Sequence, residues 1–273
     1  MIIVHVIESL SEKFGGPVSN LKNLVEYQST THDVSVFSTN QDYPKGFITR
    51  RNISFPSKCS VRIYKTLFNN KLKLSFSFAY GLYKHIKLNN PAILHIHGIY
   101  RFTTVLAVLI GKLTQCKIIL RPCGSLSAYY RNRSNSSLFF KKIYEYLFLN
   151  FILNNSHTIH FTAPMEYDDF IEQKLNCNDY FILPNIIKKS NIPNKLNIES
   201  FKKENSIPNN KNILLTYSRL TVTKDISFLI DIFNKLSRND TILIIIGNFE
   251  DSNYQLQIKN KIDNSLLKEN IYL

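Results

Sequence analysis

Leu214 to Phe233 reads LLTYSRLTVTKDISFLIDIF. An apolar run ends at Ser218-Arg219. Lys224 comes five residues after Arg219, and an amphipathic stretch with Ile226, Leu229, Ile230 and Phe233 on one face begins at once. The pattern is a buried strand, a short loop and a helix, which is the unit of a parallel α/β sheet. In open sheets of this kind ligands bind outside the carboxyl ends of the strands. The loop sets two cations there, beside a helix N-terminus. A planar guanidinium and a mobile ammonium suit a pyrophosphate at such a place. Two solvated loop cations fit the same spacing. The anion reading gains from a glycine turn in the other half of the chain, Gly15-Gly16-Pro17.

Downstream of the quoted stretch, TILIIIG (241–247) reads as a strand, Tyr254 to Leu267 as a helix and NIYL (270–273) as the start of a strand. With NILLTYS (212–218) that makes two full strands and a stub, where a doubly wound domain has about five or six. The expectation is a truncated second domain, with too few strands to cover the apolar face of Ile226, Leu229, Ile230 and Phe233 and little or no turnover. Upstream, strands are expected at 2–7, 33–39, 92–98, 117–122, 157–161 and 180–185. Helices are expected near 18–27, 102–113 and 136–155, with Thr162 and Pro164 opening another. In the 136–155 helix, the aromatics from Phe139 to Phe151 together with the neighbouring cations would favour an anionic bilayer, while Phe140, Tyr144, Leu147 and Phe151 recur at the helical spacing that more often marks a core face. Residues 187–211 are rich in Asn, Lys, Pro and Ser and read as a connection. The domains expected are 1–190 and 191–273.

The net charge is +14 over 273 residues. Between Asp42 and Glu145 there is no Asp or Glu, against eighteen Lys and Arg. Such a field attracts phosphates, acidic head groups or nucleic acid; a solvated basic face accounts for it equally well. Any catalytic carboxylate must lie outside this stretch. The four cysteines form no C-x-x-C pair, which argues against a zinc site or a disulfide framework. MIIVHVIES lacks a basic leader region, and Thr104 to Leu120 is too interrupted by Lys112, Gln115 and Lys117 to span a bilayer.

Gly15 and Gly16 let backbone N–H groups approach an anion, although a tight turn needs them equally. His95 and His97 alternate with apolar residues and point to one side of their strand. His95 reads as a core histidine, and His97, at the strand end, has the better claim to a cleft. Cys123 follows the next strand. No base is set beside it by sequence, so a small buried thiol is the simpler reading than a nucleophile.

The pieces HVIESLSEKFGGPVSNLKNL, ILHIHGIY, RPCGSLSAYY, FILPN, YSRLTVTKDISFLIDIF and ILIIIGNFED, in this order, resemble the large retaining group of bacterial GT-B glycosyltransferases (family 4, group 1 type). The resemblance covers nearly the whole chain. It implies an α/β fold of two Rossmann-like doubly wound domains facing a cleft, the second incomplete here. It implies a glycosyltransferase of hexosyltransferase type, moving sugar from a nucleotide-sugar to a lipid-linked or saccharide acceptor in lipopolysaccharide O-antigen or capsule biosynthesis. Arg219 and Lys224 would neutralise the donor pyrophosphate, Gly15 and Gly16 would approach the same phosphates, and His97 and Cys123 would lie on the acceptor side. No metal and no cofactor is implied beyond the nucleotide diphosphate sugar as substrate. The partners implied are the donor, the acceptor and an anionic membrane surface, with no nucleic acid, on the cytoplasmic face of the membrane.

Three departures stand out. Many relatives carry His where Cys123 stands. Gly usually follows the lysine, and here Asp225 does. The family's Glu, seven residues, Glu motif does not occur before Leu273. The alternatives are an inactive fragment of such an enzyme, a GT-B nucleotide-sugar epimerase and a basic nucleic-acid-binding protein. The carboxylate-free stretch counts against the epimerase. The lack of a helix-turn-helix, zinc finger or RNA-binding aromatic motif counts against the last.

Overall fold

The computed structural model describes residues 1–42, 46–49, 53–67, 74–132, 138–187, 195–249 and 251–273. Of the basic stretch, Lys45, Arg50, Arg51, Lys71, Lys73 and Arg133 lie outside these, as do residues 188–194 of the expected connection and Glu250. The chain divides into two compact units, Met1–Lys189 and Ser190–Leu273.

In the first unit the strands are β1 (Ile2–Ser9), β2 (Asp33–Thr39), β3 (Ser60–Tyr64), β4 (Ile93–His97), β5 (Lys117–Arg121), β6 (Thr158–Phe161) and β7 (Tyr180–Ile182). They form one sheet in the order β3-β2-β1-β4-β5-β6-β7, and every pairing is parallel. The helices are α1 (Gly16–Gln28), α2 (Phe76–Asn89), α3 (Phe102–Leu113), α4 (Ala128–Asn132), α5 (Leu138–Tyr144), α6 (Asn150–Asn155) and α7 (Pro164–Glu172). The period of two along each strand divides the core. Val4, Val6, Leu94, Ile96, Ile118 and Leu120 pack with α2, α3 and α6. Ile7 and Val36 pack with Val18, Leu21 and Val25 of α1 on the opposite face.

β3 and α2 were not expected. The helix expected over 136–155 begins, within the described residues, at Leu138, and a π turn (Glu145–Leu149) interrupts it. The extra residue per turn shifts the helix phase. Tyr144, Leu149, Ile152 and Leu153 face the core, while Phe139, Phe140 and Leu147 are exposed.

The second unit contains α8 (Lys195–Glu204), β8 (Asn212–Tyr217), α9 (Ile226–Leu236), β9 (Thr241–Ile246), α10 (Ser252–Asp263) and β10 (Ile271–Tyr272). α8 lies where a connection was expected. The sheet is parallel in the order β10-β9-β8. The expectation of an uncovered α9 is overturned. Ile226, Ile230 and Phe233 are buried against Leu243, Ile245, Tyr254, Ile258 and Ile271. β9 and α10 suffice to cover that face. The sheet-edge strand β8 leaves Ile213, Leu214, Leu215 and Tyr217 exposed, and Phe228, Leu236 and Leu256 on α9 and α10 are exposed as well.

Candidate functional site

In the second unit, Arg219 follows β8 and Lys224 closes a 3-10 turn (Val222–Lys224) that leads into α9; both are exposed. Three backbone contacts fix this loop. Ser218 N donates to Ile246 O at 3.1 Å, Leu220 N to Asn248 O at 2.9 Å and Lys224 N to Thr221 O at 2.9 Å. Gly247 makes the approach possible, because a Cβ there would sit 1.8 Å from Ser218 O. Asp225 is the N-cap of α9. It adopts the left-handed conformation (φ 43°), and its carboxylate accepts the N–H of Phe228 at 3.1 Å. The departure at Asp225 thus has a local cause. The position favours glycine for its φ, and the carboxylate compensates by capping the helix.

In the first unit, Gly15 (φ 71°) caps α1, and Gly16 and Pro17 begin it. A Cβ on Gly15, Gly16, Gly98 or Gly124 would meet nothing within 4 Å. The loops after β1, β4 and β5 therefore border open space at the carboxyl end of the sheet. Cys123 is half-buried, in the left-handed region (φ 57°), and its thiol points at Arg121 O at 3.6 Å. Burial pushes this thiol up to about 11, so it is protonated at neutral pH and does not serve as a ready nucleophile.

His97 is placed differently from the expectation. It is 3% exposed and packed against His5 and His95 rather than open to solvent. The register pairs His5 with His95 and His97 with Arg121, so all four side chains emerge on one face. His5 Nδ1 lies 3.0 Å from His97 Nε2, and His5 Nε2 lies 2.7 Å from Gln28 Oε1 at the end of α1. His160 Nδ1 lies 3.3 Å from His95 Nε2, and His160 Nε2 donates to Leu183 O at 2.8 Å. Burial lowers all four imidazoles, His5 to about 4, and the Arg121 charge adds to this. The cluster is therefore neutral at pH 7. Arg121 itself is buried and donates to Asn185 Oδ1.

The sequence reading missed three further groups at this end of the sheet. Glu8, buried at the end of β1, pairs with Arg101 Nε at 2.9 Å, and Arg101 stacks over Phe14. Glu166 accepts from Gly124 N (2.6 Å), Thr162 N (2.7 Å) and Thr162 Oγ1 (2.8 Å), tying the loops after β5 and β6 together. Glu145 receives both Arg131 Nε (3.1 Å) and Nη2 (2.9 Å) and the Tyr100 hydroxyl. Burial alone would raise the Glu145 carboxyl; these donors outweigh it and hold it low. Glu8 with Arg101, Tyr100 with Glu145, and Gly124 with Glu166 are brought together only by the fold, whereas Thr162 lies four residues before Glu166.

Each of the two units is a parallel α/β layer of Rossmann-like type, with glycines or cations at the strand ends. Residues 197–273 match the family described as glycosyl transferases group 1. Among solved structures, the chain is similar to HepE of Anabaena in complex with UDP (12% identity, TM-score 0.71, covering 100% of this chain and 68% of that one). It is similar to the lipopolysaccharide outer core galactosyltransferase WaaB (13%, 0.60, 99% and 67%). It is also similar to a UDP-GlcNAc 2-epimerase of Methanocaldococcus jannaschii (13%, 0.57, 100% and 72%). No curated protein sequence matches. The chain thus spans about two thirds of the length of these structures. The fold is that of GT-B enzymes, and the group 1 match in the second unit supports a glycosyltransferase.

Proposed function

We propose that the protein transfers a hexose from a nucleotide diphosphate sugar to a lipid-linked or saccharide acceptor, in the building of a lipopolysaccharide O-antigen or capsule. One observation carries this reading. Arg219 and Lys224 stand exposed at the carboxyl end of β8, on a loop held by Gly247, inside the segment that matches the group 1 glycosyl transferases. These cations stabilise the diphosphate as the glycosidic bond to the donor sugar breaks, an electrostatic task that needs preorganised positive charge rather than a metal. In the first unit, the open space beside Gly98 and Cys123 takes the acceptor.

The acceptor's lipid would sit at an anionic membrane. Among the described residues no helix is long and apolar enough to cross one. Exposed Phe76, Tyr80 and Leu88 alternate with Lys84 and Lys87 on α2, and Phe139 and Phe140 adjoin Lys141 and Lys142 on α5. This is the chemistry of a surface that rests on acidic head groups. The test is calorimetry with UDP, GDP and ADP on the wild type, Arg219→Ala and Lys224→Ala, beside transfer assays with membrane extract. Loss of one charged hydrogen bond should weaken binding by about 1.5–3 kcal/mol. Unchanged binding in both variants refutes the site.

A second reading, a nucleotide-sugar epimerase, gains from the buried Glu8 and the histidines at the strand ends. It requires interconversion of the donor with no acceptor present, which incubation with nucleotide-sugar alone would reveal.

A further inference from the structure

The proposed transfer uses the histidine cluster nowhere, yet its geometry is costly to maintain. Four buried imidazoles share one face of the sheet, spread over β1, β4 and β6. Their protons can be assigned. The Leu183 carbonyl only accepts, so His160 carries its proton on Nε2 and leaves Nδ1 bare; His95 Nε2–H donates to it. Gln28 Oε1 likewise takes the proton of His5 Nε2, leaving Nδ1 bare to accept from His97 Nε2–H. His97 Nδ1 then holds a lone pair, is buried, and has no partner among the described residues.

We infer that His5, His95 and His97 form a binding site for a transition-metal ion of borderline softness, with zinc as the type case. One nitrogen from each lies within 4.8 Å of the others. Nitrogens that bind zinc at about 2.0 Å in a tetrahedron stand about 3.3 Å apart. The 3.0 Å between His5 Nδ1 and His97 Nε2 is close to that separation. The local pattern is well suited to the task. Alternate residues of a strand project both imidazoles of His95-Ile96-His97 to one face, and the register brings the third from the next strand. The shell behind the ligands is present for His5, whose other nitrogen is held by Gln28.

The ion takes the position of the proton between His5 and His97. That proton moves to His97 Nδ1, the nitrogen without a partner, so His97 stays neutral and no proton leaves the protein. Three uncharged nitrogen ligands with no carboxylate select zinc, cobalt or copper, and exclude magnesium and calcium, which need oxygen ligands. The Arg121 charge on the same face opposes a dication and sets a modest affinity. The bound ion would clamp β1 to β4 below the strand ends.

The experiment uses the full chain, stripped with chelator and then titrated with zinc or cobalt. One equivalent should bind, raise the melting temperature and, for cobalt, give the intense visible absorption of a tetrahedral site. X-ray absorption of the zinc-loaded wild type should show imidazole nitrogens at about 2.0 Å. His5→Gln and His95→Gln should each bind at least tenfold more weakly. Zinc uptake at pH 7.5 should release no proton into a weakly buffered solution. The absence of saturable binding, a zinc shell without imidazoles, or wild-type affinity in both variants overturns the assignment. So does equal affinity for magnesium. If a variant does not fold, the absorption spectrum of the wild type decides alone.

Discussion

Replacing Gly247 with Ala tests how the donor loop is held. The backbone there has φ 157°, and the added methyl carbon would fall 1.8 Å from Ser218 O and 3.2 Å from Leu220 Cγ. Ser218 O belongs to the main chain and cannot rotate away, so β8 and β9 must part at their carboxyl ends. The hydrogen bonds Ser218 N to Ile246 O and Leu220 N to Asn248 O flank the clash and are lost with it. Two such bonds contribute about 1 kcal/mol each, and an Ala in this conformation adds about 1–3 kcal/mol of strain, for about 3–5 kcal/mol in total. The chain has no Trp, so amide hydrogen exchange along β9 is the suitable probe. Protection of the β9 amides should fall by that amount, and nucleotide binding should weaken with it as Arg219 and Lys224 lose their fixed frame. Gly16→Ala is the control: it stands in α1 with nothing within 4 Å of its Cβ, and stability should stay level or rise by up to about 1 kcal/mol. A Gly247→Ala protein with β9 protection within about 0.5 kcal/mol of wild type would refute the reasoning.

Asp225→Ala should cost about 1–2 kcal/mol, since it loses the cap and keeps the left-handed strain, while Asp225→Gly should be nearly neutral; a thermal melt separates them. His5 titrates near 4 in the folded chain against 6.5 unfolded, so its contribution is fully present above pH 6.5 and is lost as pH falls toward 4. The loss is about 3 kcal/mol, and urea midpoints of wild type and His5→Gln should converge over that window. Cys123 should react with iodoacetamide at neutral pH far more slowly than an exposed thiol, speeding up only as pH rises toward 11, as mass spectrometry of the alkylated chain would record. Liposome co-sedimentation should rise with acidic lipid and fall with salt; indifference to both would make the α2 and α5 cations an ordinary solvated face.

The strands that bury both faces were legible because their apolar runs are continuous, as at Ile2–Ser9 and Thr241–Ile246. β3 was not, since Ser60–Tyr64 is an edge strand with a charge in its middle. α2 was hidden by aromatics on both sides: Phe78 and Leu82 pack inward while Phe76 and Tyr80 face out. α8 lay under a composition that suits a linker. For the candidate site, position after a strand located Arg219, Lys224 and the glycines. The environment of His97 was out of reach, because His5 lies 92 residues away in sequence and becomes its neighbour only through the pairing of β1 with β4. Glu8 and Arg101 are likewise joined by the fold rather than by spacing.

The π turn at Glu145–Leu149 has a consequence in terms of descent. A widened turn is what a helix makes of a single inserted residue, since it absorbs the surplus and leaves the flanking turns in their former places. A shortened chain lacking one residue there would keep Tyr144 and Ile152 on the core. What the surplus turn holds is Glu145, the first carboxylate after 102 residues without one, bound to Arg131 and the Tyr100 hydroxyl. In a homologue series, a one-residue gap in this turn should go with a change in the acid at the Glu145 position or in its Arg131 partner.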